Sequence, residues 1–188
     1  MLQPDYPIAT ERLLLRPLDP DIDVDAVYAY QSREDVCRYI PYSPRSRDEV
    51  AARLADPERN RTTIEKEGDY LSVGVEVRAT RDVVGDVILI YRSEEHRTGE
   101  IGYVISPEHA GNGYATEASR ALLKLAFDDL ELHRVIGRID ARNDASAAVL
   151  RRLGMRQEAV LVENEWFKGE WTNEVDFAIL EHEWRAGV

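Results

Sequence analysis

Ile105-Ser-Pro-Glu-His-Ala-Gly-Asn-Gly-Tyr-Ala-Thr-Glu117 is the stretch whose reading decides the fold. A strand ends near Ile105, a loop with Gly111 and Gly113 follows, and a long helix begins just after. That helix is expected over Tyr114 to Leu130, with Ala115, Ala118, Leu122, Leu125 and Ala126 along one face. Glycine lacks a Cβ, so its backbone can turn sharply and approach a ligand closely. The first N–H groups of a helix have no partners within it and carry the positive end of the dipole. Together these features suit a phosphate or pyrophosphate. A Walker loop would end in Gly-Lys-Ser or Gly-Lys-Thr, where this chain has Gly113-Tyr114-Ala115. A dinucleotide fingerprint expects a third glycine or alanine at the position of Thr116, and it opens a βαβ unit. The pyrophosphate of coenzyme A and a ligand-free glycine turn both remain open on these residues.

The flanking sequence supplies the frame. Upstream of the glycine loop, Leu71, Val73, Val75 and Val77 alternate as a strand, and Thr80-Arg-Asp82 turns the chain. Val83 to Tyr91 and Gly99 to Ile105 complete a meander. Nearer the N-terminus, Arg12 to Arg16 reads as a strand and Asp21 to Ser32 as a helix with Ile22, Ala26, Val27 and Tyr30 at helical spacing. The prolines of Tyr39-Ile-Pro-Tyr-Ser-Pro44 require a loop. Ser46 to Arg59 reads as a helix, with Ser46 and Glu49 at capping-box spacing. Downstream, Arg134 to Asp140 is a strand, and Ala145 to Leu153 is a helix closed by Gly154. Further strands are expected near Glu158 to Glu163 and Glu174 to Leu180. The charged run Glu181 to Arg185 reads as a solvated end. The order β-α-α-β-β-β-α-β-α-β-β gives a mixed α/β class with a central antiparallel meander. With no repeat and no linker, residues 1–188 are expected to form a single domain.

About 30 residues past Gly113 lies Asn143-Asp-Ala-Ser146, followed by Leu153-Gly-Met155. The strand, Gly-x-Gly-Tyr-Ala-Thr-Glu-Ala, helix, strand, Asn-x-x-Ser and Leu-Gly-Met pattern resembles the GNAT superfamily of acyl-CoA N-acyltransferases. More narrowly it is similar to the branch containing the ribosomal-protein N-terminal alanine and serine acetyltransferases. Thr10-Glu-Arg-Leu-Leu-Leu-Arg-Pro17, Arg38-Tyr-Ile-Pro-Tyr42 and Glu100-Ile-Gly-Tyr-Val104 match that branch as well. The resemblance runs from about Thr10 to Leu180. It implies a mostly antiparallel mixed sheet of about six to seven strands, with a splayed parallel pair and helices on both faces.

The same resemblance implies acetyl transfer from acetyl-CoA to a primary amine, by direct attack in a ternary complex and without a metal. The amine would belong to a protein N-terminus or a small molecule. The strands ending at Ile105 and Asp140 should separate, with Val104 and Ile105 hydrogen-bonding pantetheine. Gly111, Asn112, Gly113, Tyr114 and Ala115 would hold the pyrophosphate. Asn143 would bond near the pantetheine or a bound water. A backbone N–H on the strand ending near Ile105 would steady the developing oxyanion. Glu100 is the candidate base, with an ion-pair partner of an arginine as its plainer role. Ser146 is the candidate donor to the leaving sulfur, with a helix-capping serine as its plainer role. Two positions depart from the family pattern. Ala110 stands where Gln, Arg or a large aromatic is usual. Leu150 stands where other branches place an acidic Tyr. Dimers are frequent among members, which extends the expectation to a homodimer. A non-catalytic acyl-CoA-binding module is the alternative; substituting Glu100 or Ser146 would stop turnover only in an enzyme.

Composition narrows the partners. A formal net charge of −12 lacks the basic surface that nucleic-acid binding needs; the acidity could attract a cationic acceptor, and its plainer role is to keep the protein soluble. No stretch approaches the roughly 20 apolar residues of a membrane span. The N-terminal residues carry charges where a signal peptide would be apolar, giving the expectation of a cytoplasmic protein. Cys37 is the single cysteine, which excludes an internal disulfide and a cysteine-rich zinc site. It has no neighbouring His or Asp motif and reads as a small buried hydrophobe. His96, His109 and His182 lack metal-ligand spacing, and His133 reads as structural. Tyr39, Tyr42, Trp166 and Phe167 are candidates for an acceptor pocket, and equally ordinary core or rim aromatics.

Overall fold

The computed structural model describes residues 1–187. Eight strands form one mixed sheet: β1 (Ile8–Ala9), β2 (Leu13–Arg16), β3 (Tyr70–Val77), β4 (Val83–Ser93), β5 (Thr98–Ile105), β6 (Arg134–Asp140), β7 (Arg156–Phe167) and β8 (Glu170–Leu180). Their order is β1-β2-β3-β4-β5-β6-β8-β7, and among neighbours only β5 and β6 run parallel. The helices are α1 (Val24–Gln31), α2 (Glu34–Cys37), α3 (Arg47–Ala55), α4 (Tyr114–Lys124), α5 (Asp144–Arg152) and α6 (Glu181–Arg185). No helix among the described residues is long and apolar enough to cross a membrane.

Period-two alternation assigns the faces of the sheet. Leu150 of α5 packs over Gly137 of β6, where an added Cβ would stand 2.8 Å from Leu150 Cδ2. Odd-numbered residues of β6 therefore face α5. Val104 of β5 packs instead with Leu18, Val27, Tyr30, Val50 and Leu54, the cluster beneath α1 and α3. Ile101, one strand phase away, joins Leu122, Leu123, Phe127 and Leu150 in the larger cluster beneath α4 and α5. The sheet thus separates an α4/α5 side from an α1/α3 side.

The mixed α/β architecture agrees with the sequence expectation, and several boundaries change. The first helix begins at Val24, because the Asp23 carboxylate is held by the Arg16 guanidinium at 2.6 and 2.9 Å and by Asp19 N–H. Ile22 lies outside that helix and is 71% exposed. The third helix stops at Ala55, where Asp56-Pro57 turns the chain. Its capping box from Ser46 and Glu49 forms as expected. The long helix changes pitch after Lys124 into a π turn over Leu125–Asp129. Glu181–Arg185 is a helix, with Trp184 stacked on Phe127 at 5.8 Å and Glu183 accepting from Leu180 N–H.

Candidate active site

The parallel pair opens along its length. β5 and β6 pair only at Thr98↔Arg134, Gly99↔Val135 and Glu100↔Ile136, although β5 continues to Ile105 and β6 to Asp140. Beyond Glu100, β5 keeps its β4 partner and loses β6. Ser106 N–H donates to Val84 C=O at 2.7 Å across the β4 side, which fixes the phase of the strand. By alternation, the backbone groups of Val104 face β4, and those of Tyr103 and Ile105 face the gap. Of the two residues expected to bond pantetheine, Ile105 has its peptide groups there. Val104 has only its side chain free of the ladder, packed beneath α1 and α3. Tyr103 takes the second backbone place on the open edge.

The glycine loop lies at the end of this strand. Pro107–His109 forms a single 3-10 turn, Ala110 is extended, and Gly113 is the N-cap of α4. Gly111 and Gly113 have φ of +80° and +79°, a left-handed conformation that side chains disfavour. A Cβ on Gly111 would meet nothing within 4 Å, whereas one on Gly113 would stand 3.4 Å from Arg12 Nη2. The N-terminal amides of α4 lie beside the loop. Arg12, unremarked in the sequence beyond its strand, binds this region together. Its Nη1 donates to Asn112 C=O at 2.9 Å, its Nε donates to Glu117 at 2.7 Å, and its guanidinium lies 5.1 Å from the Tyr114 ring centre. Thr10 donates to the other Glu117 oxygen at 2.6 Å. Burial opposes the charge on Glu117, yet the hydrogen bonds from Thr10 and Arg12 hold its carboxyl below the ordinary range. Asn112 Nδ2 donates to His109 C=O at 3.0 Å, and Ala115 rests against the larger core.

Asn143 and Ser146 meet across the first turn of α5. Asn143 is the N-cap, and its Oδ1 accepts from Ser146 N–H at 3.0 Å. The Tyr103 hydroxyl lies 2.8 Å from Ser146 Oγ and 2.9 Å from Ser146 C=O. This contact links β5 to the helix that follows β6, across the opening. Burial pushes the Tyr103 hydroxyl up to about 12, so it stays protonated at neutral pH. Leu150, where other branches carry a Tyr, is fully buried over Gly137.

On the α1/α3 side, carboxylates gather near the open ends of the strands. Glu100 Oε2 accepts from Arg92 Nε at 2.7 Å and from Arg138 Nη2 at 3.0 Å, the arrangement of an ion-pair partner. Sheet register places Asp140 opposite Glu174 and Arg138 opposite Asp176, on the same face as Glu100. Glu174 is only 9% exposed. Burial raises its pKa, Arg138 opposes that, and the carboxylates Asp176, Glu165 and Glu100 add to it. Sequence reasoning passed over Glu174. Its signal was an acidic residue inside a strand with alternating apolar neighbours.

The aromatic candidates divide. Tyr42 lies under the Arg45 guanidinium at 3.6 Å and is half-buried, whereas Trp166 is 62% exposed and meets Trp171 edge-on at 5.4 Å. Tyr39 takes Arg38 and Arg142 against its ring, at 5.2 and 5.9 Å. Phe167 lines a cavity of about 370 Å³ with Arg38, Pro44, Arg142 and Lys168. Lys168, at the β7–β8 turn, donates to the carbonyls of Cys37 and Tyr42, fastening this hairpin to the loop after α2. Cys37 is buried, and its Sγ–H donates to Gln31 C=O at 3.4 Å. Among the described residues no group of His, Cys, Asp and Glu could hold a metal ion.

Known proteins share this fold. The family model described as acetyltransferase (GNAT) domain matches residues 12–156. Uncharacterized N-acetyltransferase YnaD of Bacillus subtilis (strain 168) is 32% identical over 177 residues, spanning 94% of this chain and 98% of that protein. Spermidine N(1)-acetyltransferase of Escherichia coli (strain K12) is 26% identical, spanning 92% of this chain and 88% of its own length. The crystal structure of the acetyltransferase (GNAT family) from Bacillus anthracis superposes with a TM-score of 0.81 at 32% identity, covering 93% of this chain and 98% of that one. With its opened parallel pair and glycine-looped helix, the chain belongs to the GNAT family and is an acyl-CoA-dependent N-acetyltransferase.

Proposed function

We propose that the protein transfers an acetyl group from acetyl-CoA to a primary amine of a cationic, polyamine-like acceptor. One observation carries the reading. The gap between β5 and β6 lies between the glycine loop that follows β5, where Gly111 faces open space, and a group of strand carboxylates on the other face of the sheet. The glycine loop and the adjacent helix amides suit the pyrophosphate of coenzyme A, held by Gly111, Asn112, Gly113, Tyr114 and Ala115. The peptide groups of Ile105 and Tyr103 suit the amides of pantetheine, with Asn143 nearby. Acetyl-CoA supplies the activated acyl group.

Each step then falls to a residue of this chain. Glu174 accepts the proton of the attacking amine, directly or through one water, because its buried carboxylate binds a proton more readily than an exposed one. Glu100, the base expected from the sequence, holds Arg138 beside Glu174 through its ion pair. A β5 backbone N–H facing the gap stabilises the charge that develops on the carbonyl oxygen. The Ser146 hydroxyl donates a hydrogen bond to the departing sulfur. Asp140, Asp176 and Glu100 favour further ammonium groups on the acceptor. The Escherichia coli relative named for spermidine supports this acceptor class. A protein N-terminus, as in the ribosomal-protein branch, carries a single amine and gains less from that surface.

Acetyl-CoA titrated into the protein, followed by thiol release with spermidine, a monoamine and an alanine-initiated peptide, tests the proposal. Binding with one site per chain and fastest turnover on spermidine are expected. Absence of binding in the folded protein overturns the donor assignment. Preference for the peptide overturns the acceptor class alone.

A further inference from the structure

The side chain of Tyr103 has no part in the proposed mechanism, which uses only its peptide groups. That side chain leaves β5 within the segment that has lost its β6 partner, on the side of α4 and α5. Its hydroxyl reaches both polar atoms of Ser146 beyond the amide, at 2.8 and 2.9 Å. A phenol has one hydrogen to donate, and so does a serine hydroxyl. The Ser146 carbonyl can only accept. Two arrangements are therefore available. In the first, Tyr103 donates to Ser146 C=O, and Ser146 O–H is free to point back at the phenol oxygen. In the second, Tyr103 donates to Ser146 Oγ, and the hydrogen of Ser146 must point elsewhere.

We propose that Tyr103 is a positioning residue that acts through Ser146. By donating to Ser146 Oγ, it turns the serine hydrogen into the opening between β5 and β6, as a ready donor to the leaving sulfur. No proton changes owner in this step; one hydrogen bond of Tyr103 shifts from carbonyl to hydroxyl oxygen. The serine amide is already fixed by the Asn143 cap, so the hydroxyl rotor is the remaining freedom that Tyr103 removes. The buried phenol stays protonated across the neutral range and is a donor throughout it. This inference rests on Ser146 being the donor to sulfur.

A double-mutant cycle separates the two ideas. Tyr103→Phe should lower kcat about tenfold with the KM for acetyl-CoA unchanged, the scale of one hydrogen bond felt in the transition state. In a Ser146→Ala background the same change should leave kcat unaltered, because the group it positions is gone. Melting temperature and acetyl-CoA affinity are followed in every variant. Tyr103→Met, which also lacks a donor, is a second variant expected to show the same dependence on Ser146. If Ser146→Ala turns over at the wild-type rate, the serine role falls and this inference falls with it. If Ser146→Ala is slow, the inference alone is overturned by any of three results. These are wild-type kcat in Tyr103→Phe, an equal loss in both backgrounds, or a loss confined to KM.

Discussion

Glu174 shows how burial fits one side chain for the proposed role of base, which its residue type alone does not announce. Removal from water raises its pKa, Arg138 opposes the rise, and Asp176, Glu165 and Glu100 add to it. A base must be unprotonated to act, so activity should fall as pH drops through that raised value, with the acid limb above the ordinary glutamate range. Glu174→Gln should lower kcat by about a hundredfold or more and abolish that limb, measured as kcat/KM from pH 5 to 8. Removing a raised carboxyl also removes a cost of ionisation in the fold. The folded state holds its proton to higher pH than the unfolded chain, so wild-type stability declines as pH rises through that interval. Glu174→Gln should therefore melt no lower than wild type at neutral pH. Leu150 makes the converse case. It stands where other branches place an acidic Tyr, but it is fully buried against Gly137. Leu150→Tyr should not add a proton donor. It should overpack the α5–β6 contact and cost about 1–3 kcal/mol in denaturant unfolding.

At the scale of elements, the start of α5 joins stability to the proposed role of Ser146. Asn143 accepts the Ser146 amide and thereby sets the first turn on which the serine rides. Asn143→Ala should cost about 1 kcal/mol and lower the melting temperature by about 2–4 °C. It should also reduce kcat more than so small a loss of folded protein can explain; unchanged kcat would confine Asn143 to capping. The helix start was legible in the sequence, but with Ser146 as its capping residue; the structure gives the cap to Asn143. The meander and the α4 loop were legible as well. Alternation marks the strands, and the positive φ of Gly111 and Gly113 demands the residue type seen there. Features set by distant contacts were not. The π turn after Lys124 leaves the apolar pattern almost unchanged, since Leu130 N–H merely reaches one residue farther, to Leu125 C=O. α6 reads as a solvated tail until Trp184 finds Phe127 from another part of the chain. For Glu100 the sequence left base and ion-pair partner both open, because its partners, Arg92 and Arg138, lie on β4's end and on β6. Arg12 and Glu117 are over 100 residues apart, and only folding brings them together around the glycine loop.

The whole molecule carries its charge in a way that bears on the acceptor. A net charge of −12 spread over the chain gives a negative field, and the sheet face beside the opening concentrates Glu100, Asp140, Glu174 and Asp176. Arg92, Arg138 and Arg142 offset part of that charge through close ion pairs. What reaches a diffusing acceptor is therefore the long-range excess, which salt screens over about 8 Å at physiological ionic strength. A polyamine should feel this field at every ammonium group, whereas a monoamine feels it once. Raising the salt from about 0.02 to 0.5 M should increase the KM for spermidine severalfold while leaving its kcat nearly constant. The KM for a monoamine of similar length should rise far less. The donor provides an internal control, because anionic coenzyme A is repelled by the same field and its KM should fall or hold steady under the same change. Steady-state kinetics at three ionic strengths would distinguish this pattern from a uniform salt effect on the enzyme. Equal rises for the polyamine and the monoamine would mean that the acidic surface serves solubility, with recognition left to the aromatic loop around Tyr39 and Tyr42.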